Sequence, residues 1–432
     1  MYGSRNNFDR GLKQTIDWRV ILCYIVLVFI GCVSIYAAIQ AREPASIFDD
    51  SSGKQLLWFG ISTVFAVIVL FALNPKFWEA IAPLSYVLVV ILLIVVRFVS
   101  SDVKGSHSWF DLGPIRFQPA EVSKITTSLM LALVMSMQGF KISKTADFFK
   151  VVAVIGVPML AILLENETGS ALVYIGYLFV LYREGLSGWW IVAFGMAILL
   201  FILTLTTSRW TAMIVLGIVC LLYCVLALRN AQRRSRIIRR NIILRALGGF
   251  AAGVILIFAT DIIFHKVLHD YQRGRIEVLL GLKEDPAGVG YNVRQSMIAI
   301  GSGGFFGKGF LNGTQTTFGF VPEQSTDFIF CTIGEEWGFF GCLVVILLYV
   351  YLIYRIVQSA DKSRESFTRI YGYCVASCLF MHLFINIGMT IGLMPVIGIP
   401  LPMLSYGGSS LLAFTLQIFI FLALNRQENK YF

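Results

Sequence analysis

The chain has 432 residues, of which 57% are apolar and only 14% charged, and its net charge is +10. Soluble domains run at about 45–50% apolar and about 25% charged, so a soluble enzyme of this length is excluded, and the apolar surplus equally excludes disorder. With a mean hydropathy of +0.77, the basic excess reads as membrane topology rather than as a nucleic-acid surface.

About 20 apolar residues cross a bilayer as a helix. On that basis the sequence predicts twelve spans, at 20–41, 55–73, 79–98, 121–138, 150–164, 170–182, 188–206, 211–228, 246–264, 326–354, 371–391 and 405–425. The first is too long for the core of a cleaved leader and reads as a signal anchor. The fifth and sixth are short, and the long tenth is expected to bend near Gly338 and Gly341. Short basic segments set orientation. With both termini inside, Arg5, Arg10, Lys13, Arg19, Lys76, Lys141, Lys144, Lys150, Arg183, Arg355, Lys362, Arg364, Arg369, Arg426 and Lys430 all fall inside. So does the stretch from Arg229 to Arg245, with seven arginines and no acid. It reads as an interhelical loop anchored on anionic lipid, and it lacks the aromatic platform of a nucleic-acid site.

Two outer segments are long, 99–120 and 265–325. The second is rich in glycine but also holds Tyr271, Leu279, Tyr291, Met297, Phe305 and Phe310. It is expected to form short amphipathic or re-entrant helices on the outer face. The eight cysteines lie in apolar runs without zinc-ribbon spacing, and the four histidines are too scattered for a metal cluster.

Ionisable groups in membrane spans are costly unless paired, which makes them functional candidates. Glu121 and Lys124 are three apart at the start of the fourth span and share a helix face. Glu165 and Glu167 cap the fifth span on the outer side. Glu335 and Glu336 lie in the tenth, where helix-to-helix bonding or a partnership with Lys124 is expected. His382 and Asn386 are four apart in the eleventh, and Asp261 closes the ninth. In the outer loop, Glu284-Asp285-Pro286-Ala287-Gly288 forms a tight turn. The acid before proline is biased away from helix and projects; a partly apolar setting would raise its pKa toward that of a general base. Arg273 and Arg275 are suited to phosphate. Gly301-Ser302-Gly303-Gly304 and Gly307-Lys308-Gly309 lack the strand–loop–helix context of a nucleotide site. Trp109 is an interfacial anchor or a platform for a sugar ring. The irregular stretch from Gly398 to Ser410 breaks helical geometry between two spans, as happens where backbone lines a cavity.

At these residues the chain resembles the SEDS proteins (shape, elongation, division and sporulation), their RodA-like branch most closely. The stretch Asn386-Ile-Gly-Met, Gly392-Leu-Met-Pro-Val-Ile-Gly-Ile-Pro-Leu-Pro-Met-Leu-Ser-Tyr-Gly-Gly-Ser-Ser410 is similar to the family signature. Trp109-Phe-Asp-Leu-Gly, Arg116-Phe-Gln-Pro-Ala-Glu121 and Lys124 are similar to its tryptophan-to-lysine segment. Asp285-Pro-Ala-Gly-Val-Gly-Tyr291 with Gln295-Ser296 is similar to its large outer loop. Gly307 to Gln315, Pro322-Glu323, Thr326-Asp327 and Gly334-Glu-Glu336 complete the likeness, which runs from about residue 15 to 425. Two departures stand out. The family often has ten spans, which would make 188–245 an inserted helix pair with its arginine-rich loop. Glu165-Asn166-Glu167-Thr168-Gly169-Ser170 replaces a segment that usually carries proline.

The resemblance implies one all-α polytopic domain over 1–432, in the bacterial inner membrane with both termini cytoplasmic. It implies a peptidoglycan glycosyltransferase that polymerises lipid II, an undecaprenyl-diphosphate-linked glycan, during elongation. The implied partners are a class B penicillin-binding protein and other elongation-complex membrane proteins, without nucleic acid. Asp285 matches the essential loop aspartate and would take the proton of the attacking acceptor hydroxyl, with inversion at the donor sugar. Trp109, Glu121, Lys124, Arg273, Arg275 and Gln295 are the expected substrate-binding residues. Lys124, Arg273, Arg275 or a divalent cation (Mg or Mn) would offset the leaving diphosphate, with no organic cofactor. The competing expectation is a transporter, either a lipid II flippase or a proton-coupled carrier using Glu335, Glu336 and His382. Against it stand the absence of an internal repeat and the gathering of candidates at the outer face.

Overall fold

The computed structural model describes residues 16–40, 51–100, 107–112, 115–230, 236–268, 270–283 and 288–430. Apart from one two-stranded ribbon, the regular structure is helical. Helix α1 covers Trp18–Gln40, α2 Ser51–Phe71 and α3 Pro75–Val99. Asn74 caps α3 by accepting a hydrogen bond from the Lys76 N–H at 3.2 Å, and Pro75 occupies the first turn, where no N–H is needed. Strands β1 (Phe110–Leu112) and β2 (Ile115–Phe117) pair antiparallel, with Asp111 opposite Arg116. Helices α4 (Pro119–Ser136) and α5 (Thr145–Leu164) follow. The sixth predicted span is three pieces: α6 (Thr168–Val173), a 3₁₀ turn at Tyr174–Gly176 and α7 (Tyr177–Arg183). Next come α8 (Trp189–Thr206), α9 (Arg209–Asn230), α10 (Arg236–Ile262) with a π turn at Ile263–Val267, and α11 (Asp270–Leu279). Then follow α12 (Val289–Ser302), α13 (Thr314–Thr317), α14 (Ile329–Lys362), α15 (Ser366–Thr390) and α16 (Gly408–Lys430).

Ten helices among the described residues are long and apolar enough to cross a membrane. The protein is a multi-pass membrane protein. Each of the twelve expected spans is helical, but two lack the usual hallmarks. Helix α4 buries Glu121, Ser123, Lys124, Thr126, Thr127 and Ser128, so protein rather than lipid surrounds it. The α6–α7 segment breaks because Gly176 lies against α15, where a Cβ would overlap the Met381 side chain. The Ser377 hydroxyl donates to the Gly176 carbonyl there. The ninth span also starts earlier than expected: α10 begins at Arg236, so Arg236, Arg239, Arg240 and Arg245 are helical rather than loop.

The chain divides into two compact units, residues 1–186 with 291–432, and residues 187–290. In the first, α15 packs on α14, α4 and α16, and α2 lies along α16. Helix α15 is the interior helix, with most of its residues buried. Gly31 of α1 lies so close to the Met403–Leu404 backbone that a Cβ would meet the Met403 carbonyl oxygen at 2.6 Å. Helix α1 thereby braces the irregular 398–407 stretch. In the second unit α9 and α10 pair closely and α8 packs on α10. Its helices present apolar side chains around most of their circumference, as lipid-facing spans do.

Candidate active site

Helix α4 begins at Pro119, and its first turns carry Glu121 and Lys124 inward. The Lys124 ammonium donates to Glu121 Oε1 at 2.8 Å and to His382 Nε2 at 2.8 Å. Glu121, Lys124 and His382 are all buried, at 2%, 1% and 0% exposure. Since Nε2 accepts, the proton sits on Nδ1, which donates to the Pro400 carbonyl at 3.2 Å. Phe414 closes the group, its ring 5.1 Å below the ammonium and edge-on to the imidazole. The Lys124 backbone carbonyl accepts from Ser128 Oγ at 2.7 Å and Tyr177 OH at 3.0 Å. Tyr174 OH meets Ser123 Oγ at 2.7 Å. The broken sixth span therefore supplies two phenols that fix α4.

One turn beyond His382, Asn386 Nδ2 donates to the Asp327 carbonyl at 2.8 Å and the Ile399 carbonyl at 2.7 Å. Ser405 Oγ accepts from the Leu401 N–H at 2.8 Å and donates to the Thr326 carbonyl at 2.6 Å. The Tyr406 N–H donates to Ser325 O at 2.8 Å. These bonds satisfy backbone that has no helical partner and clamp the 397–406 stretch to residues 325–327. Met403 is held in the left-handed region at φ 64°.

A second network surrounds Glu335. Its Oε1 accepts from Lys308 Nζ at 2.7 Å and the Gln315 N–H at 2.9 Å, and its Oε2 from the Thr316 N–H and hydroxyl, both at 2.9 Å. The expectation that the 335–336 pair would partner Lys124 is thereby corrected: Lys308, on the folded-back glycine loop, holds Glu335. The bend predicted in α14 occurs at Gly338, with φ 65° and ψ −161°. Four loop contacts replace the interrupted helix ladder. The Lys308 and Gly309 N–H groups donate to the Glu335 and Glu336 carbonyls, and the Phe339 and Phe340 N–H groups donate to Gly304 and Phe305. A Cβ at Gly303 or Gly307 would overlap the Gly334 or Glu336 carbonyl oxygen. The glycines singled out in the sequence thus serve backbone-to-backbone contact with a broken helix.

Residues 107–118 are tied to the 165–167 turn at both ends. His107 N–H donates to the Glu165 carbonyl at 3.2 Å, and Gln118 Nε2 to Glu167 Oε1 at 3.2 Å. Trp109, half-buried, lies between these two ties, next to the fully buried Ser108. Gly169 packs on Ile397 and Ile399, so the turn without proline still touches the signature stretch.

Glu165 itself has no exposure, and its carboxyl has only the neighbouring Ser108 hydroxyl to offset its burial. Burial, then the Glu167 charge, pushes its pKa from 4.5 to about 9, while the Ser108 hydroxyl offsets part of the rise. An acid whose folded pKa is raised holds its proton in the folded state and loses it on unfolding. The resulting penalty is absent below the unfolded pKa of 4.5 and grows to its full size above about 9. Glu165→Gln should therefore be neutral near pH 4.5 and stabilising by roughly 2–4 kcal/mol near pH 7.5. Thermal midpoints of the purified protein measured across that range test this; a constant offset at all pH values would refute it.

A family model described as "Cell cycle protein" (FtsW/RodA/SpoVE) matches residues 17–240 and 211–430. The chain belongs to this family. A relative from Escherichia coli strain K12, peptidoglycan glycosyltransferase MrdB, is 33% identical over 402 residues, covering 93% of this chain and 90% of its own length. Peptidoglycan glycosyltransferase RodA of Treponema pallidum is 30% identical over 441 residues, covering 97% and 99%. A solved chain from a study titled "Structural coordination of polymerization and crosslinking by a peptidoglycan synthase complex" superposes with TM-score 0.69 at 25% identity over 96% of this chain and 98% of that one. RodA of Thermus thermophilus shares the fold at TM-score 0.61 and 23% identity, covering 96% and 97%. The stretch 386–410, which carries the likeness to the family in the sequence, lies within the matched range and is the one clamped by Asn386 and Ser405.

The other expected site residues fall as follows. Glu121, Lys124 and Trp109 belong to the first unit, and so does Gln295, half-buried on α12. Its neighbour Ser296 ties that helix to α15 through the Thr390 carbonyl at 2.7 Å. Arg273 and Arg275 lie on α11 of the second unit, where Arg273 pairs with Asp270 at 2.8 Å and Glu277 at 3.7 Å. Asp285 falls outside the described residues. Lys124 does not have the surroundings expected of a phosphate-binding cation. Its charge is matched by Glu121 and enclosed by His382 and Phe414, which suits it to hold α4, α15 and the Pro400 backbone together. The sequence marked the Glu121–Lys124 pair by spacing, but Tyr174 and Tyr177 were passed over. Their one signal was two phenols three residues apart in a span too short to cross.

Proposed function

We propose that this protein is a peptidoglycan glycosyltransferase that polymerises lipid II into glycan strands during cell elongation. The observation that carries the reading is full-length relationship at 30% identity or more to two proteins bearing that enzyme name. The packed Glu121–Lys124–His382 group and the clamped 386–410 signature support it, because they give the family's most specific segments a rigid setting. On this reading the protein sits in the bacterial inner membrane with cytoplasmic termini, beside a class B penicillin-binding protein and other elongation-complex membrane proteins. The solved relative from a peptidoglycan synthase complex supports the penicillin-binding partner.

In the proposed reaction Asp285 takes the proton of the acceptor sugar hydroxyl as its oxygen attacks the donor anomeric carbon. The donor C–O bond to diphosphate breaks and the configuration inverts in one displacement. Arg273 and Arg275 offset the charge on the departing diphosphate, and Trp109 and Gln295 orient sugar. A divalent cation is the alternative source of that charge compensation. A proton-coupled carrier is disfavoured. Glu335 is saturated by fixed donors and His382 is locked between Lys124 and Pro400, so neither is placed to load and release a proton during transport.

The deciding experiment is incubation of the purified full-length protein, alone and with its penicillin-binding partner, with lipid II in detergent. Glycan ladders are the expected product. Absence of polymer in both mixtures, with transport of lipid II in vesicles, would favour the flippase.

A further inference from the structure

The second unit contains a cavity of about 800 Å³ between the ends of α8, α9 and α10 and the α11 helix with the residues that follow it. Its size is that of a site for a small organic ligand. The charged lining is balanced: it holds two cations, Arg209 and Lys283, and two acids, Asp261 and the Arg273-paired Glu277, together with His265. Arg209 Nη2 stands 3.4 Å from Asp261 Oδ2, and His265 Nε2 stands 3.7 Å from Asp261 Oδ1. Both contacts are longer than an ordinary hydrogen bond, so they are loose pairs into which a ligand hydroxyl can insert. The π turn at Ile263–Val267 sets His265 into the wall; such turns are frequent at functional sites. Trp210 also lines the cavity and is 75% exposed.

Each feature selects a ligand class. A diphosphate, with two or more negative charges, would meet as much repulsion as attraction in a wall of two cations and two anions. A hydroxyl donates and accepts at once, so it bridges a carboxylate and a guanidinium set 3.4 Å apart. The exposed indole offers a flat apolar face to the C–H side of a pyranose ring. We propose that this cavity binds uncharged sugar units of the glycan strand, away from the diphosphate end. This rests on the glycosyltransferase reading and adds to it a place where the polymer is held.

The test uses the full-length protein in detergent and an N-acetylglucosamine tetrasaccharide, which carries no phosphate. Saturation-transfer NMR should detect binding to the wild type. Trp210→Ala and the conservative Asp261→Asn should each weaken it about tenfold, whereas Trp189→Ala, at the start of α8 and outside the cavity lining, should not. Inorganic pyrophosphate should fail to compete, and so should vesicles of phosphatidylethanolamine. With lipid II as substrate, Trp210→Ala should yield shorter strands. Unaltered binding in both cavity variants would overturn the proposal, as would displacement by pyrophosphate or by the phospholipid. If the wild type polymerises lipid II but does not bind the tetrasaccharide, the cavity assignment falls and the enzyme reading stands. If the tetrasaccharide binds as described but no polymer forms, the enzyme reading falls and the sugar site stands.

Discussion

Lys124→Met should unfold the protein in mild detergent at temperatures the wild type survives, at a cost of about 3–5 kcal/mol. The methionine fills much of the same volume, so lost packing is a minor part of that figure. The larger part is electrostatic. Among the described residues, Glu121 keeps a buried carboxylate whose Oε1 loses the Lys124 ammonium and whose Oε2 has no partner. His382 Nε2 loses its donor as well. The double variant Glu121→Gln, Lys124→Met should recover a large share of the loss, because a neutral pair replaces an orphaned charge. A coupling of about 2–3 kcal/mol in the double-mutant cycle is expected. The midpoints of all four proteins from thermal size-exclusion profiles supply it. Strict additivity would mean that Lys124 does not act through Glu121.

The second large effect concerns chemistry rather than stability. Asp285→Asn should reduce polymerisation of lipid II by 10²–10⁴-fold, the usual contribution of one positioned base, on the order of 3–5 kcal/mol of barrier. Asparagine keeps the size and the turn-forming habit of aspartate before proline, so folding and assembly with the partner should persist. Glu284→Gln is the control. Glu284 lacks the restraint that a following proline places on backbone, and its loss should cost far less. Gel analysis of products from both variants separates them. Wild-type activity in Asp285→Asn would remove the proposed base, and equal loss in both would spread its role over two acids.

The helical architecture was legible because lipid leaves few alternatives: every expected span overlaps helix, although 170–182 is interrupted by a 3₁₀ turn and 405–425 begins in irregular backbone. Where reading the chain fell short, the cause was tertiary. Helix α4 is flanked by protein, so its polar residues told nothing of the partners 50 or more residues away. Glu121 and Lys124 were paired correctly by local spacing, since an i,i+3 contact needs only one helix. His382 lies 258 residues from Lys124, and no periodicity connects them. Of the two alternatives for Glu335, the partnership with Lys124 fails for a related reason. Lys308 reaches it only because glycines 303, 307 and 338 let two backbones touch, a contact that composition does not encode. The bend at Gly338 was foreseeable from glycine, but what the bend accommodates was not.

The local pairing of Glu121 with Lys124 also bears on how the chain is made. A ribosome adding about 5–20 residues per second needs roughly 13–52 s to pass from Lys124 to His382, 258 residues later. During that interval α4 must already occupy the membrane. An ammonium waiting for a distant imidazole would resist insertion; one neutralised by a carboxylate a single turn away does not. Glu335 enjoys the same advantage by a different order of events, since residues 308–316, which supply its donors, leave the ribosome before it does. Both buried acids thus meet their counter-charges without waiting for the last two spans, and the histidine needs only to dock onto a pair that is already at rest.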